Sequence, residues 1–586
     1  GTFSGNGEAG IRLDNVGDAT INGATANGGG QGLLVQTATS LTLTDFESTG
    51  STGDSTVDQV PMFNVDTTTP DTQDTININD PNFGGDGFLR HDRGGSVQNL
   101  INFTSVGTLD IDFLGEDDTV FVAAHPTTLI DLDGGDHAAG DKLNYISDGT
   151  NAFTFGGSTI NTAAHADINH ANWEEFCVVG EILIDGSGED DHLIVLASSE
   201  DDGTFQLIQD ATGGSPDVGP VVMFTDITSL TFNGLGGDDV LSLTHPDNDF
   251  FNPSSGVMFN GGTQTDDGNV LAIPGLNGDT LQINQTAMAA EADNVTSHFD
   301  PTLIPAQSDA GLIPITDTAI TDGSTTITYT GLEPVLDNMS AADRVFNFTA
   351  GAETITLNAP GDNGQDNKID STLGESVSFD NPSASLTIDT TVGSGADTIN
   401  VEGVGTGFDA NLTVTGDTDD TVNFQTAATD IGNGSLDVDA MTINVNHAVS
   451  TATTGTVDLD ATRNIAMSGG SVTTVDGRIT MLANMGGVSG MFIGIEVNDS
   501  TISTISGAIS LTAQGGDTGD NNHGVFFSNS PIQSTGTAAG AVTFTGTATT
   551  GSFSKGVALY TTPLTTADAS VSITGTSVEG SGVNLT

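Results

Sequence analysis

The two ends of this 586-residue chain are punctuated by the same unit. Gly-apolar-x-apolar recurs as Gly494-Ile495-Glu496-Val497, Gly524-Val525-Phe526-Phe527, Gly556-Val557-Ala558-Leu559 and Gly582-Val583-Asn584-Leu585. It is also present as Gly10-Ile11-Arg12-Leu13 and Gly32-Leu33-Leu34-Val35. Second alternating runs lie between these marks: Ile479-Thr480-Met481, Ile509-Ser510-Leu511, Val542-Thr543-Phe544 and Val571-Ser572-Ile573 late, Ala19-Thr20-Ile21 and Leu41-Thr42-Leu43 early. Alternation puts apolar side chains on one face of a strand. A Gly-punctuated unit of roughly 22–32 residues carrying two or three such strands is the signature of one parallel β-helix coil. Each coil exposes strand edges that the next must cover. The chain is therefore expected to stack head to tail on copies of itself, building a filament.

The spacing predicts an all-β fold with β-helix coils at 1–52 and 451–586, and β-sandwich or irregular β-solenoid modules at 53–310 and 311–450. The first middle region holds a duplicated cassette. Asn102-Phe103-Thr104-Ser105-Val106, Leu109-Asp110-Ile111-Asp112 and Leu114-Gly115-Glu116-Asp117-Asp118 match Met223-Phe224-Thr225-Asp226-Ile227, Leu230-Thr231-Phe232-Asn233 and Leu235-Gly236-Gly237-Asp238-Asp239. Each copy then reaches a His-Pro pair, His125-Pro126 and His245-Pro246. The match predicts Phe103, Val106 and Leu109 in buried positions equivalent to Phe224, Ile227 and Leu230. A looser third copy aligns Trp173 with the two phenylalanines and Phe176 with Val106 and Ile227. Pro301, Pro305 and Pro314 mark an expected joint.

Charge is the second constraint: 78 acidic residues face 9 basic ones, a formal net charge of -69. Self-repulsion on this scale opposes folding unless cations bind or salt screens it, and it argues against nucleic acid and anionic membrane as partners. The plainer reading is that an acidic surface keeps a repetitive β protein soluble. One cysteine, Cys177, excludes an internal disulfide framework and Cys-x-x-Cys zinc sites. No apolar run reaches membrane-spanning length, so no membrane insertion is expected. Beginning at Gly1, the chain reads as a mature product or an excerpt of a longer one.

Hard-cation binding in a tight β turn needs Gly for the left-handed backbone, Asp for a charged oxygen and an apolar residue to pin the following strand. Asn233-Gly234-Leu235-Gly236-Gly237-Asp238-Asp239-Val240 and Val392-Gly393-Ser394-Gly395-Ala396-Asp397-Thr398-Ile399 have this composition. They resemble the nonapeptide calcium repeats of RTX, or haemolysin-type, secreted bacterial proteins, although the family runs its nonapeptides in tandem and these are single copies. Calcium is the expected ion. The candidate ligands are Asp117, Asp118, Asp190, Asp191, Asp238, Asp239, Asp397, Asp419 and Asp420, each in a tight or Gly-rich turn; ordinary Asx and Gly turns are the alternative.

His165, His170, Trp173, Glu174, Glu175 and Cys177 gather in one segment, but the cassette alignment makes Trp173 and Phe176 core residues and Cys177 a buried small hydrophobe. The two His-Pro histidines read as turn residues. A β-helical polysaccharide lyase or hydrolase would need a basic residue or two facing carboxylates in a groove. Arg12, outward-facing between Ile11 and Leu13, is the residue to test, and three Tyr and one Trp are sparse equipment for stacking on sugars. The expected protein is a non-catalytic, secreted structural repeat module that polymerises with itself. In style it resembles giant bacterial surface proteins combining filamentous-haemagglutinin-like coils with RTX-like turns. The alternatives are an adhesin binding a glycan or partner cell along its side, and a polysaccharide-active enzyme.

Overall fold

The computed structural model describes the chain apart from residues 1, 5–8, 23, 28–30, 45, 47–54, 61, 68–73, 82–86, 94–95, 114–116, 136–139, 157, 210–216, 246–249, 264–279, 286–291, 300–309, 317–323, 331–333, 350, 394 and 538. Among the described residues, the regular structure is strand except for one 3-10 turn, Asp362–Gly364. The chain divides into two compact units, 1–237 with 251–259, and 238–250 with 260–586.

In the second unit the predicted repeat stacks in register as three parallel ladders. One aligns Leu436, Val457, Ile479, Ile509, Val542 and Val571 on successive strands. Another aligns Ile443, Ile465, Ile495, Val525, Val557 and Val583. The third aligns Val449, Val472, Ile502, Ile532 and Leu564. The side-chain period of two sends these residues inward, and a one-residue slip would turn every one of them to solvent. The repeat glycines permit the close approach: a Cβ on Gly556 would lie 2.3 Å from the Thr576 nitrogen and 2.6 Å from the Gly582 oxygen.

The parallel ladders do not stop at the predicted boundary near 451. They run back through Leu436–Val445, Asn411–Thr415 and Ser385–Asp389 to Ala341–Phe348 and Ala292–Phe299. Antiparallel hairpins are inserted into them, Ala310–Thr316 with Ser324–Thr330 and Thr354–Asn358 with Asn367–Ser371. Pro314 stands within the first hairpin, opposite Thr326, while Pro301 and Pro305 lie outside the described residues.

In the first unit, Ile11-Arg12-Leu13 pairs with Leu33-Leu34-Val35, and Ala19-Thr20-Ile21 with Leu41-Thr42-Leu43. The ladders again continue past 52, from Gln31–Val35 to Ser55–Asp58 and Ser96–Thr104, and from Ala38–Thr44 to Met62–Thr67, Thr108–Phe113, Leu129–Asp133 and Ile168–Ala171. A further ladder joins Asp74–Ile78, Thr119–Val122, Lys142–Asp148, Glu175–Asp185 and Val222–Gly236.

The cassette has a common backbone. Phe103, Val106 and Leu109 are buried, as are Phe224, Ile227 and Leu230, and the residue at the corner is left-handed in both, Ser105 at φ 55° and Asp226 at φ 51°. Its downstream alignment needs correction. The ring over Phe103 is His125, at 5.6 Å, and the ring over Phe224 is Phe251, at 5.4 Å, so Phe251 rather than His245 occupies the position of His125. The third copy is also displaced. Pairing places Val178 beside Phe224 and Ile182 beside Leu230, with the left-handed corner at Gly180. Trp173 is a core residue, but it packs edge-on to Phe113. Backbone pairing fixes equivalence in a solenoid, and an aromatic can fill the core from more than one coil position.

Candidate cation sites

A strand that starts beneath another coil brings a backbone N–H into the interior, where it needs an acceptor. In this chain the acceptor is an acidic residue immediately before the next strand of the ladder. The Asp118 carboxylate accepts from the Asp74 N–H at 2.7 Å, Asp141 accepts from the Asp118 N–H at 2.7 Å, and Glu174 accepts from the Asp141 N–H at 3.0 Å. The second unit repeats the device: Asp397 accepts from the Glu353 N–H at 2.9 Å, and Asp420 from the Asp397 N–H at 2.8 Å. The local sequences share a form, Asp74-Thr75-Ile76, Asp118-Thr119-Val120, Glu353-Thr354-Ile355, Asp397-Thr398-Ile399 and Asp420-Thr421-Val422.

Parallel strands lie about 4.8 Å apart, so each column stacks like charges at that interval with little water between them. Burial foremost, with the neighbouring carboxylates of Asp74, Asp141 and Asp117, raises Asp118 to about 7 against the lowering effect of the Asp74 N–H. Burial raises Glu353 to about 7, with Ser371 opposing and Asp397 reinforcing. Burial and the charges of Asp420, Asp417 and Asp419 raise Asp397 to about 6. One oxygen of Asp118, Oδ2, and one of Glu353, Oε1, are buried without a hydrogen-bond partner among the described residues. A proton or a cation on these columns would relieve the repulsion.

The predicted ligands divide accordingly. Asp118, Asp190, Asp191, Asp238, Asp239, Asp397 and Asp420 are buried, Asp117 is partly buried and Asp419 is exposed. Asp191 accepts from the Ser187 N–H, and burial holds its pKa above the carboxylate range. Among the described residues one group presents three ligand atoms within 4.8 Å of one another: Asp417, Asp419 and Asp420. Asp417 was absent from the predicted set. Gly237 at φ 113° and Gly395 at φ 119° adopt the left-handed backbone that the Gly-Asp motif implied. The single-copy turns of the second unit stack after all, because Thr398 pairs with Thr421 and so brings the Asp397 and Asp420 turns onto adjacent coils.

A second acidic arrangement, outward-facing, went unread in the sequence. Asp437 and Asp439 align with Asp458 and Asp460 on the next coil, and burial together with mutual repulsion raises Asp437, Asp439 and Asp460. Its signal was Asp-apolar-Asp repeated one coil apart.

The histidine-rich segment does not converge. Glu174 caps Asp141, Glu175 pairs with Lys142, and the His170 ring packs on Phe176 at 4.7 Å. Cys177 is half-buried, not buried, because it stands in the outward column between Asn144 and Met223; burial nonetheless raises its thiol to about 11. The His125 Nδ1 accepts from the Thr128 N–H at 2.9 Å, a turn-capping role, whereas His245 is fully buried and packs edge-on to Phe250. Arg12 is exposed and donates to Gln36 at 2.8 Å. No protein-family model matches the chain, and no curated protein is similar to it.

Proposed function

We propose that this chain is a non-catalytic structural repeat module of a secreted or surface protein, whose coils stack end to end into a fibre. The observation that carries this reading is the in-register parallel stacking of coil on coil, with Val457, Ile479, Ile509 and Val542 in one column and Ile465, Ile495, Val525 and Val557 in another. All eight are 0% exposed, so each coil covers the apolar column of its neighbour. A parallel ladder of this kind can be extended by any strand of matching period, and a heterologous contact between copies that extends it propagates. Cations support it by screening the charge; calcium held by Asp417, Asp419 and Asp420 is the first candidate, since three carboxylates are the donor type that a hard divalent ion takes. The repeat style, resembling RTX-like and filamentous-haemagglutinin-like surface proteins, supports the extracellular location.

The test is sedimentation and electron microscopy of the chain across salt and calcium concentrations, beside a Val583→Lys, Leu585→Lys variant. Long polymers that appear with salt or calcium and vanish in the variant are the expected result. A monomer under every condition, or unaffected polymers in the variant, overturns the proposal.

A further inference from the structure

The first unit carries a lateral groove that stacking does not require. It has a volume of about 610 Å³ and lies on the outer face of the ladder formed by Thr119–Val122, Lys142–Asp148, Glu175–Asp185 and Val222–Gly236. Its floor is apolar, made by Phe121, Ile146 and Val179, side chains that point away from the core yet are only partly exposed. Its walls bring in four carboxylates, Asp80, Asp148, Glu181 and Asp226, and among the described residues no basic side chain lines it.

The concavity has a backbone cause. Pairing between Glu175–Asp185 and Val222–Gly236 shifts register on both sides of Gly180, and Gly180 itself is left-handed at φ 92°. A Cβ there would lie 2.5 Å from the Ser147 oxygen, so glycine lets the ladder bend inward at this point. Asp226, also left-handed, turns the neighbouring strand at the same level. Bulges of this kind bend a sheet and re-aim its side chains. The N–H groups of Thr150 and Asn151 and the Asn151 side chain bond the Asp148 carboxylate and, although burial opposes them, keep its pKa below the ordinary range.

We infer that this groove binds an extended polypeptide segment alternating apolar with Lys or Arg side chains, supplied by a partner protein. An apolar floor takes the apolar side chains of such a segment, and the rim takes cationic tips carried on flexible stems. A neutral glycan would bring no charge to meet Glu181 and Asp226, and the single Trp of the chain, Trp173, is buried elsewhere.

Fluorescence anisotropy with a labelled Lys-Leu-Lys-Leu-Lys peptide in about 0.15 M salt, where distant surface charges are largely screened, measures the binding. Because the whole chain is acidic, two charge-matched variants are compared: Glu181→Gln with Asp226→Asn in the groove, and Asp437→Asn with Asp439→Asn in the second unit. The groove pair is expected to weaken binding about fivefold and the control pair less than twofold. Phe121→Ser, which keeps every charge, should also weaken binding, and a Lys-Gly-Lys-Gly-Lys peptide should bind more weakly than the leucine peptide. Equal losses in the two charge variants, indifference to Phe121 and to leucine, or displacement of the peptide by neutral maltohexaose overturns the inference.

Discussion

Acidification from pH 8 to pH 5 should stabilise this protein, the reverse of ordinary acid denaturation. Asp118 is 1% exposed, and burial with the charges of Asp74, Asp141 and Asp117 places its folded-state pKa at about 7 instead of 3.8. The folded state therefore takes up a proton that the unfolded chain does not hold between these values. Its contribution is fully present below 3.8 and is lost as the pH rises through 7. At about 1.4 kcal/mol per pH step, two steps below the folded value correspond to about 2–3 kcal/mol for Asp118. Glu353, raised from 4.5 to about 7, contributes a similar amount, and Asp397, raised from 3.8 to about 6, roughly half as much. Gains of this size correspond to a rise in melting temperature on the order of 5 °C for a unit of this length. Below pH 4 the trend should reverse, since hydrogen bonds hold Asp148 and Asp202 low and their stabilisation is lost as they protonate.

Relief of general charge repulsion would push in the same direction, so Asp118→Asn and Glu353→Gln separate the two causes. Each amide mimics the protonated acid. Each variant should therefore melt higher than the parent at pH 8, converge with it near pH 5 and show a flatter pH profile, read by circular dichroism at constant salt in chelator. Variants that melt at or below the parent at pH 8 and keep its full pH slope would refute the buried-column argument. If calcium, not a proton, neutralises the columns, the same variants lose stability in calcium instead of gaining it.

Two further outcomes follow from the packing. Gly556→Ala places a methyl group 2.3 Å from the Thr576 nitrogen and should lower stability by about 1–3 kcal/mol while exposing the coils beyond it to limited proteolysis, with unchanged protection at 556–586 as the contrary result. Arg344, fully buried beside Asp337 and the Met339 carbonyl, should cost about 3–5 kcal/mol on change to Met because Asp337 is left uncompensated; the double variant Arg344→Met, Asp337→Leu should recover much of the loss in denaturant titrations.

Much of the coil stacking was legible because it depends on a short period. Ile509-Ser510-Leu511 announces a strand with one apolar face, and its recurrence at Val542-Thr543-Phe544 announces which strand lies beside it; both statements hold in the ladder. The cassette was legible for the same reason at Phe103 and Phe224. Its third copy was misread at Trp173, since an aromatic marks burial without marking the coil position. The acidic residues were visible in the sequence, yet the columns that several of them form were not. Asp74 carries no Gly-rich motif, and what places it, Asp141 and Glu353 in the columns is only their position at or just before the first residue of a strand.

Taken by itself, the sequence determined that the chain would be all β, that Gly-apolar-x-apolar units would stack, and that the charge would have to be screened or neutralised. These properties follow from side-chain period, glycine spacing and composition, which are local or additive. Tertiary structure alone decided that Asp397 and Asp420 share a column and that Phe121, Ile146 and Val179 floor one groove. Those neighbours lie between 23 and 58 positions apart in the chain. What brings them together is the length of each coil, and inserted hairpins and bulges such as that at Gly180 vary it from one coil to the next.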